Sequence, residues 1–162
     1  HKVEKEYVAV VEGSPEGDNG HVELPISRRG NRSVVGPSGK PALTKWEVVR
    51  RGRGKTLVRL LPRTGRTHQL RAHMAEIGHP IVGDGKYGTN AQSNPGSGWG
   101  AQLGGSVSRK LHLHARRLVL THPVTGRQLD VTAPLPDHMR RTWELFDWSA
   151  DDAPLDVFEE RT

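Results

Sequence analysis

The stretch from Pro62 to Pro80 leaves the chain the least freedom. Pro62 and Gly65 punctuate the end of an apolar run at residues 57–61 that reads as a strand. Thr67 follows where a helix N-cap belongs, offering a side-chain oxygen to the first unpaired backbone N–H groups. Leu70, Met74 and Ile77, at spacings of four and three, lay one apolar stripe along that helix. Gly78 stands where a left-handed residue would close it, and Pro80 forbids continuation. Arg71, one position past Leu70, leaves the flank of the stripe, where a cation can be aimed into a cleft beside the helix. The stretch predicts strand, turn, helix and turn, with a candidate site on the helix flank.

The chain before it reads as strands. Residues 5–12 alternate, with Tyr7, Ala9 and Val11 on one face and Val8 and Val10 on the other. Residues 14–20 make a polar turn and 21–26 a second short strand. Residues 28–40, rich in glycine and basic groups, suit an exposed basic loop or ribbon. Residues 42–49 alternate around Trp46, 50–55 form a basic turn, and 56–61 complete a hairpin. After the helix, residues 89–105 read as a flexible loop, or as a mobile contacting loop with Trp99 as a stacking platform. Residues 111–120 and 128–133 are strands. Asp137 is placed as the cap of a final helix striped by Met139, Trp143 and Phe146. Strands with one central and one terminal helix predict an α+β fold with a mostly antiparallel sheet.

Charge is distributed unevenly along these 162 residues. Residues 147–162 carry six acids against Arg161, whereas residues 28–71 hold 13 Lys or Arg and the single acid Glu47. Such density attracts a polyanion, and nucleic acid is the usual one. Arg28, Arg29, Arg32 and Lys40 are therefore candidate nucleic-acid contacts. By the same contrast residues 1–148 read as a partial domain and 149–162 as an acidic tail. The absence of cysteine excludes a disulfide scaffold and cysteine–zinc sites. No apolar run is long enough to span a bilayer and no signal-peptide pattern is present, so a soluble cytoplasmic protein, or a piece of one, is expected.

Histidine invites a metal reading. His68 and His73, five apart, fall on different faces of a helix; His112 and His114 share a strand face but have no Asp or Glu close by in sequence. No bound metal is expected, and a metal-dependent hydrolase built on His112 and His114 stands as the third-ranked reading. No glycine-rich loop ending in Lys-Ser or Lys-Thr supports nucleotide triphosphate chemistry.

The run Thr64-Gly65-Arg66-Thr67-His68-Gln69-Leu70-Arg71-Ala72-His73, then Gly78-His79-Pro80-Ile81-Val82-Gly83-Asp84 and Tyr87-Gly88, resembles the signature of the RluA-type RNA pseudouridine synthases. Lys5-Glu6-Tyr7-Val8-Ala9-Val10-Val11-Glu12-Gly13 and Leu113-His114-Ala115, followed by Leu118, Thr121-His122-Pro123 and Ala133-Pro134, match in the same order. The resemblance implies a mixed, mostly antiparallel sheet, RNA (ribosomal or transfer) as partner, and uridine isomerisation without metal or organic cofactor. It places Tyr7 against the target uracil, to stack and take the C5 proton, although by pattern alone Tyr7 is a strand aromatic facing the core. It pairs Arg71 with the catalytic aspartate, makes Leu113 an apolar wall of the uracil pocket, and leaves His68 and Arg66 to support the turn or meet phosphate. The implied nucleophile belongs to a His-Arg-Leu-Asp block ahead of the first strand, and no such block occurs in the sequence. The chain, which opens at His1 without methionine, is thus expected to begin downstream of its nucleophile and to be inactive alone. A non-catalytic RNA-binding module is the alternative.

Overall fold

The computed structural model describes residues 3–88 and 107–148. The loop expected at residues 89–105, with Trp99, and the acidic tail at 149–162 lie outside them. The described chain runs β1 (Val3–Glu12), β2 (Asn19–Glu23), β3 (Ile26–Arg29), β4 (Arg32–Val35), β5 (Leu43–Arg51), β6 (Lys55–Pro62), α1 (Gln69–Glu76), β7 (Leu113–Thr121), β8 (Gln128–Thr132) and α2 (Asp137–Leu145). Six strands form one sheet in the order β2-β5-β6-β1-β7-β8, and β3 pairs with β4 in a separate ribbon. Every pairing between described strands is antiparallel. No described helix is long and apolar enough to cross a membrane.

The period-two alternation of β1 sorts the core into two layers. Val8 and Val10 pack with Leu57 and Val82 under Met139 and Trp143 of α2. Ala9 and Val11 pack with Trp46, Leu60 and Ile81 under Leu70 and Met74 of α1, with Ile77 at the margin. The two helices therefore cover opposite faces of the sheet, and both apolar stripes lie where the sequence places them. Since β6 is covered on both faces, its two basic residues are buried with partners. Lys55 reaches Glu12 at 2.8 Å, and Arg59 pairs with Glu47.

Three local expectations are corrected. Residues 21–26 are not one strand, because Pro25 has no N–H for the ladder; β2 ends at Glu23 and Ile26 opens the ribbon. Thr67 does not cap α1, since His68 occupies the N-cap position in a left-handed conformation (φ 52°) with no side-chain cap bond. Asp137 is the first residue of α2 instead of its cap, which is Pro136, and it pairs with Arg140 one turn on. At the other end of α1, Gly78 has a φ of 89°, as its position predicts.

Candidate active-site cleft

The turn after β6 is shaped by the side chain of Gln69. Its Oε1 accepts from the Arg66 N–H (3.1 Å) and from Thr64 Oγ1 (2.6 Å), while its Nε2 donates to the Leu43 carbonyl and Thr44 Oγ1, both at 2.9 Å. Gln69 is buried, so these bonds replace water that it cannot reach. They fasten the turn to β5 and fix its shape ahead of the helix. Arg66 adds an Nε bond to the Pro41 carbonyl at 2.9 Å.

This turn forms one wall of a cleft of about 510 Å³, lined by Lys5 and Tyr7 of β1, residues 62–66 and His68 of the turn, Gln69, Leu70 and Arg71 of α1, and Leu113 of β7. Tyr7 stands opposite Leu60 and Ala115, and Leu113 opposite Ala9, which puts Tyr7 and Leu113 on one face of the sheet. The pairing of β1 with β7 shifts register between Glu6 and Tyr7. An irregularity of this kind re-aims a side chain at a sheet position where the pleat alone would fix it. Tyr7 is only half-buried, so its ring is not consumed by the core. Tyr7, Arg66, His68, Arg71 and Leu113 all line this one cavity. Arg28, Arg29, Arg32 and Lys40 do not; they are exposed on and beside the β3–β4 ribbon.

Arg71 engages a carboxylate, and it is Asp84. The fork runs from Nε to Oδ2 at 3.0 Å and from the Nη2 nitrogen to Oδ1 at 2.8 Å. Asp84 is 1% exposed and also accepts the backbone N–H groups of Lys86 (3.2 Å) and Tyr87 (3.0 Å). Burial by itself would raise the Asp84 pKa; the Arg71 fork and the Tyr87 N–H outweigh it and hold the carboxyl below its usual value. The same hydrogen bond raises the Arg71 pKa and keeps the guanidinium charged. With both oxygens committed and no water access, Asp84 anchors Arg71 and is no free nucleophile. Among the described residues lining the cleft there is no carboxylate.

A second link joins the ribbon to the site. The Ser33 N–H donates to the Tyr87 hydroxyl at 2.9 Å, and that hydroxyl meets His68 Nδ1 at 2.8 Å. Arg32 lies over the Tyr87 ring, 4.5 Å from its centroid, and donates to the Lys86 carbonyl. Sequence reasoning used Asp84 and Tyr87 only as motif matches and missed Ser33 and Gln69. The turn signal in Gly83-Asp84 was legible, but which cation the aspartate would meet was not.

The histidines read as a possible ligand pair turn elsewhere. His112 is fully buried, with Nδ1 on the Lys110 carbonyl and Nε2 on Thr142 Oγ1, both at 2.7 Å. His114 Nε2 faces the Ala133 carbonyl at 3.3 Å. Among the described residues no three His, Cys, Asp or Glu side chains are grouped to hold a metal.

The profile of a family described as RNA pseudouridylate synthase matches residues 1–76. Ribosomal large subunit pseudouridine synthase D of Escherichia coli (strain K12) is 39% identical over 144 residues, which cover 85% of this chain and 43% of that protein. The protein of the same name from Haemophilus ducreyi is 37% identical over 138 residues, covering 83% of this chain and 42% of its own length. The chain thus spans less than half the length of these curated relatives. Among solved structures, human RNA pseudouridylate synthase domain containing 4 superimposes with a TM-score of 0.71 at 28% identity, over 90% of this chain and 62% of that one. Human RNA pseudouridylate synthase domain containing 1 gives 0.65 at 30% identity, over 83% and 55%. The motifs quoted from both ends of the described chain, the antiparallel α+β fold and these similarities agree, and the chain belongs to the RluA-type family of RNA pseudouridine synthases.

Proposed function

We propose that the protein isomerises uridine to pseudouridine in structured RNA, with large-subunit ribosomal RNA as its substrate class and the cytoplasm as its location. The observation that carries this reading is the convergence of Tyr7, Leu113, His68, Arg66 and Arg71 on one cleft. The reaction breaks the bond between N1 of uracil and C1′ of ribose, joins C5 to C1′, removes the C5 proton and returns a proton to N1. No electrons are gained or lost, so the balance requires neither a redox cofactor nor a co-substrate. Tyr7 and Leu113 supply the ring face and apolar wall that hold a base taken out of its stack. In this reading Tyr7 takes the C5 proton, and Arg71 keeps a nucleophilic carboxylate ionised. Its Nη1, outside the fork to Asp84, remains for that second carboxylate.

The carboxylate itself belongs, in this reading, to a part of the protein beyond the present sequence. The basis is the lack of an acid among the described cleft residues and of a His-Arg-Leu-Asp block in the sequence. The test is tritium release from C5-labelled large-subunit ribosomal RNA transcripts. The 162-residue chain should release none, and a protein carrying the aspartate block in addition should release label stoichiometrically with pseudouridine. Turnover by the chain alone would overturn the placement of the nucleophile. RNA binding by the longer protein without any turnover would leave an RNA-binding module, the reading that the basic ribbon favours.

A further inference from the structure

His68 is held in a way that the reaction outlined above does not require. Its backbone is left-handed, with φ 52° and ψ 27°, a conformation uncommon for a residue with a side chain. Its ring is half-buried, lines the cleft, and stands edge-on to Tyr87 with centroids 5.5 Å apart. The Tyr87 hydroxyl has one proton to give. The Ser33 N–H donates to the tyrosine oxygen at 2.9 Å, which leaves the Tyr87 proton available to His68 Nδ1 at 2.8 Å. An Nδ1 that accepts leaves the imidazole proton on Nε2. We propose that His68 is a specificity-determining residue of the cleft, fixed by Tyr87 as a neutral Nε2–H donor that reads the C4 carbonyl of uracil and rejects cytosine.

The inference rests on the uridine reading above and deepens it. Uracil presents an oxygen acceptor at C4 where cytosine presents an amino donor, so a donor of fixed tautomer favours one and repels the other. The charge state is guarded too. Burial lowers the His68 pKa first, then Arg71, Lys86 and Arg28, with Asp84 opposing them. An imidazole free to flip or titrate would lose this discrimination, and Tyr87 prevents the flip. Tyr87 is in turn a positioning residue, held by Ser33 of the ribbon and by the Arg32 guanidinium over its ring.

Long-range nitrogen–proton NMR on the chain reads the tautomer directly. His68 should show the neutral Nε2–H form at neutral pH, and Tyr87→Phe should convert it to a mixture. Uridine 5′-monophosphate should bind about tenfold more tightly than cytidine 5′-monophosphate, the effect of one misdirected hydrogen bond. His68→Asn, whose side chain tolerates the left-handed backbone, should bring the two affinities within about twofold. An Nδ1–H tautomer or an imidazolium in the unaltered chain overturns the inference without any variant having to fold. Equal affinity for the two nucleotides overturns it while leaving the uridine reading standing. Binding of neither nucleotide overturns both.

Discussion

Arg71 and Asp84 meet in a two-bond fork across 13 residues of sequence, and the aspartate is the fully enclosed partner. The geometry depends on Gly83, whose φ of 84° and close approach to Lys110 leave no room for a side chain. A Cβ there would lie 2.1 Å from the Lys110 carbonyl oxygen. The turn thus delivers Asp84 beneath α1, and Asp84 fixes the direction in which Arg71 leaves the helix. The cation of the cleft is oriented from behind, by a group with no access to substrate.

Asp84→Asn should therefore destabilise the chain by about 3 kcal/mol, the lower end for a broken buried pair, because Arg71 retains some water contact. The Asp84 pKa is depressed on folding, so its contribution is fully present above the unfolded value of 3.8 and is lost as pH falls through the lower, folded value. Urea titrations should show a stability gap between the two proteins that is constant at neutral pH and narrows below pH 3.8. A gap that persists undiminished in acid would mean that the variant acts through packing.

The buried histidine beneath α2 makes a different acid dependence. His112 has its pKa lowered to about 4, chiefly by burial and also by His138 and Lys55, against backbone bonds that favour the charged form. The folded pKa lies below the unfolded one, so the unfolded chain binds the extra proton as pH falls. Stability should be complete above pH 6.5 and decline by about 3 kcal/mol down to pH 4. Thr142→Val removes the hydroxyl that satisfies Nε2 and should cost about 2 kcal/mol at neutral pH. His112→Leu should flatten the slope between pH 6.5 and 4 whatever it does to the absolute value. Denaturant midpoints across that range decide it.

What the sequence made legible follows from period and punctuation. The alternation of Val8 and Val10 against Ala9 and Val11 named both faces of the central strand, and the Leu70, Met74 and Ile77 stripe named the face of α1. Gly78 marked where the helix stops. What stayed hidden are contacts that leave no period. Ser33 and Tyr87 are 54 residues apart, and Gln69 reaches back 26 to Leu43. No local pattern distinguishes a glutamine that knits a turn from one facing water. The Thr67 cap failed for the same reason: Gln69 satisfies the turn from inside the helix and leaves the threonine exposed. The site residues themselves came from the motif match, and the cleft brings them together because β1 lies between β7 and β6, and the turn that leads into α1 follows β6.

The exposed ribbon should govern RNA affinity more than turnover. Much of the basic run is already paired: Lys55 with Glu12, Arg59 with Glu47 and Arg71 with Asp84. Arg28, Arg29 and Arg32 remain exposed together on β3 and β4. Replacing all three with glutamine should reduce the slope of log affinity against log salt by about 2, since each lost phosphate contact removes roughly one released counterion. Filter binding over a salt series measures this. An unchanged slope would mean that the ribbon faces away from the RNA.

Arg71 supplies the sharpest division between binding and chemistry, and its test belongs to a protein that also carries the nucleophilic aspartate. The guanidinium is charged, oriented by Asp84, and placed in the cleft with one nitrogen outside the fork. Arg71→Ala should raise the pKa of the nucleophile and lower the single-turnover rate by about 100-fold or more, a loss of about 3 kcal/mol of transition-state stabilisation. RNA affinity should change by less than about threefold, because the arginine is committed to carboxylates and not to phosphate. Arg71→Lys should recover little, since an ammonium cannot bridge both Asp84 oxygens and still reach a second carboxylate. The residual activity of Arg71→Ala should move to higher pH, which a merely structural defect would not produce. Arg28→Gln should do the opposite, weakening binding and leaving the saturated rate intact. If Arg71→Ala weakens binding and keeps its rate at saturating enzyme, Arg71 is a phosphate contact and the active site lies elsewhere.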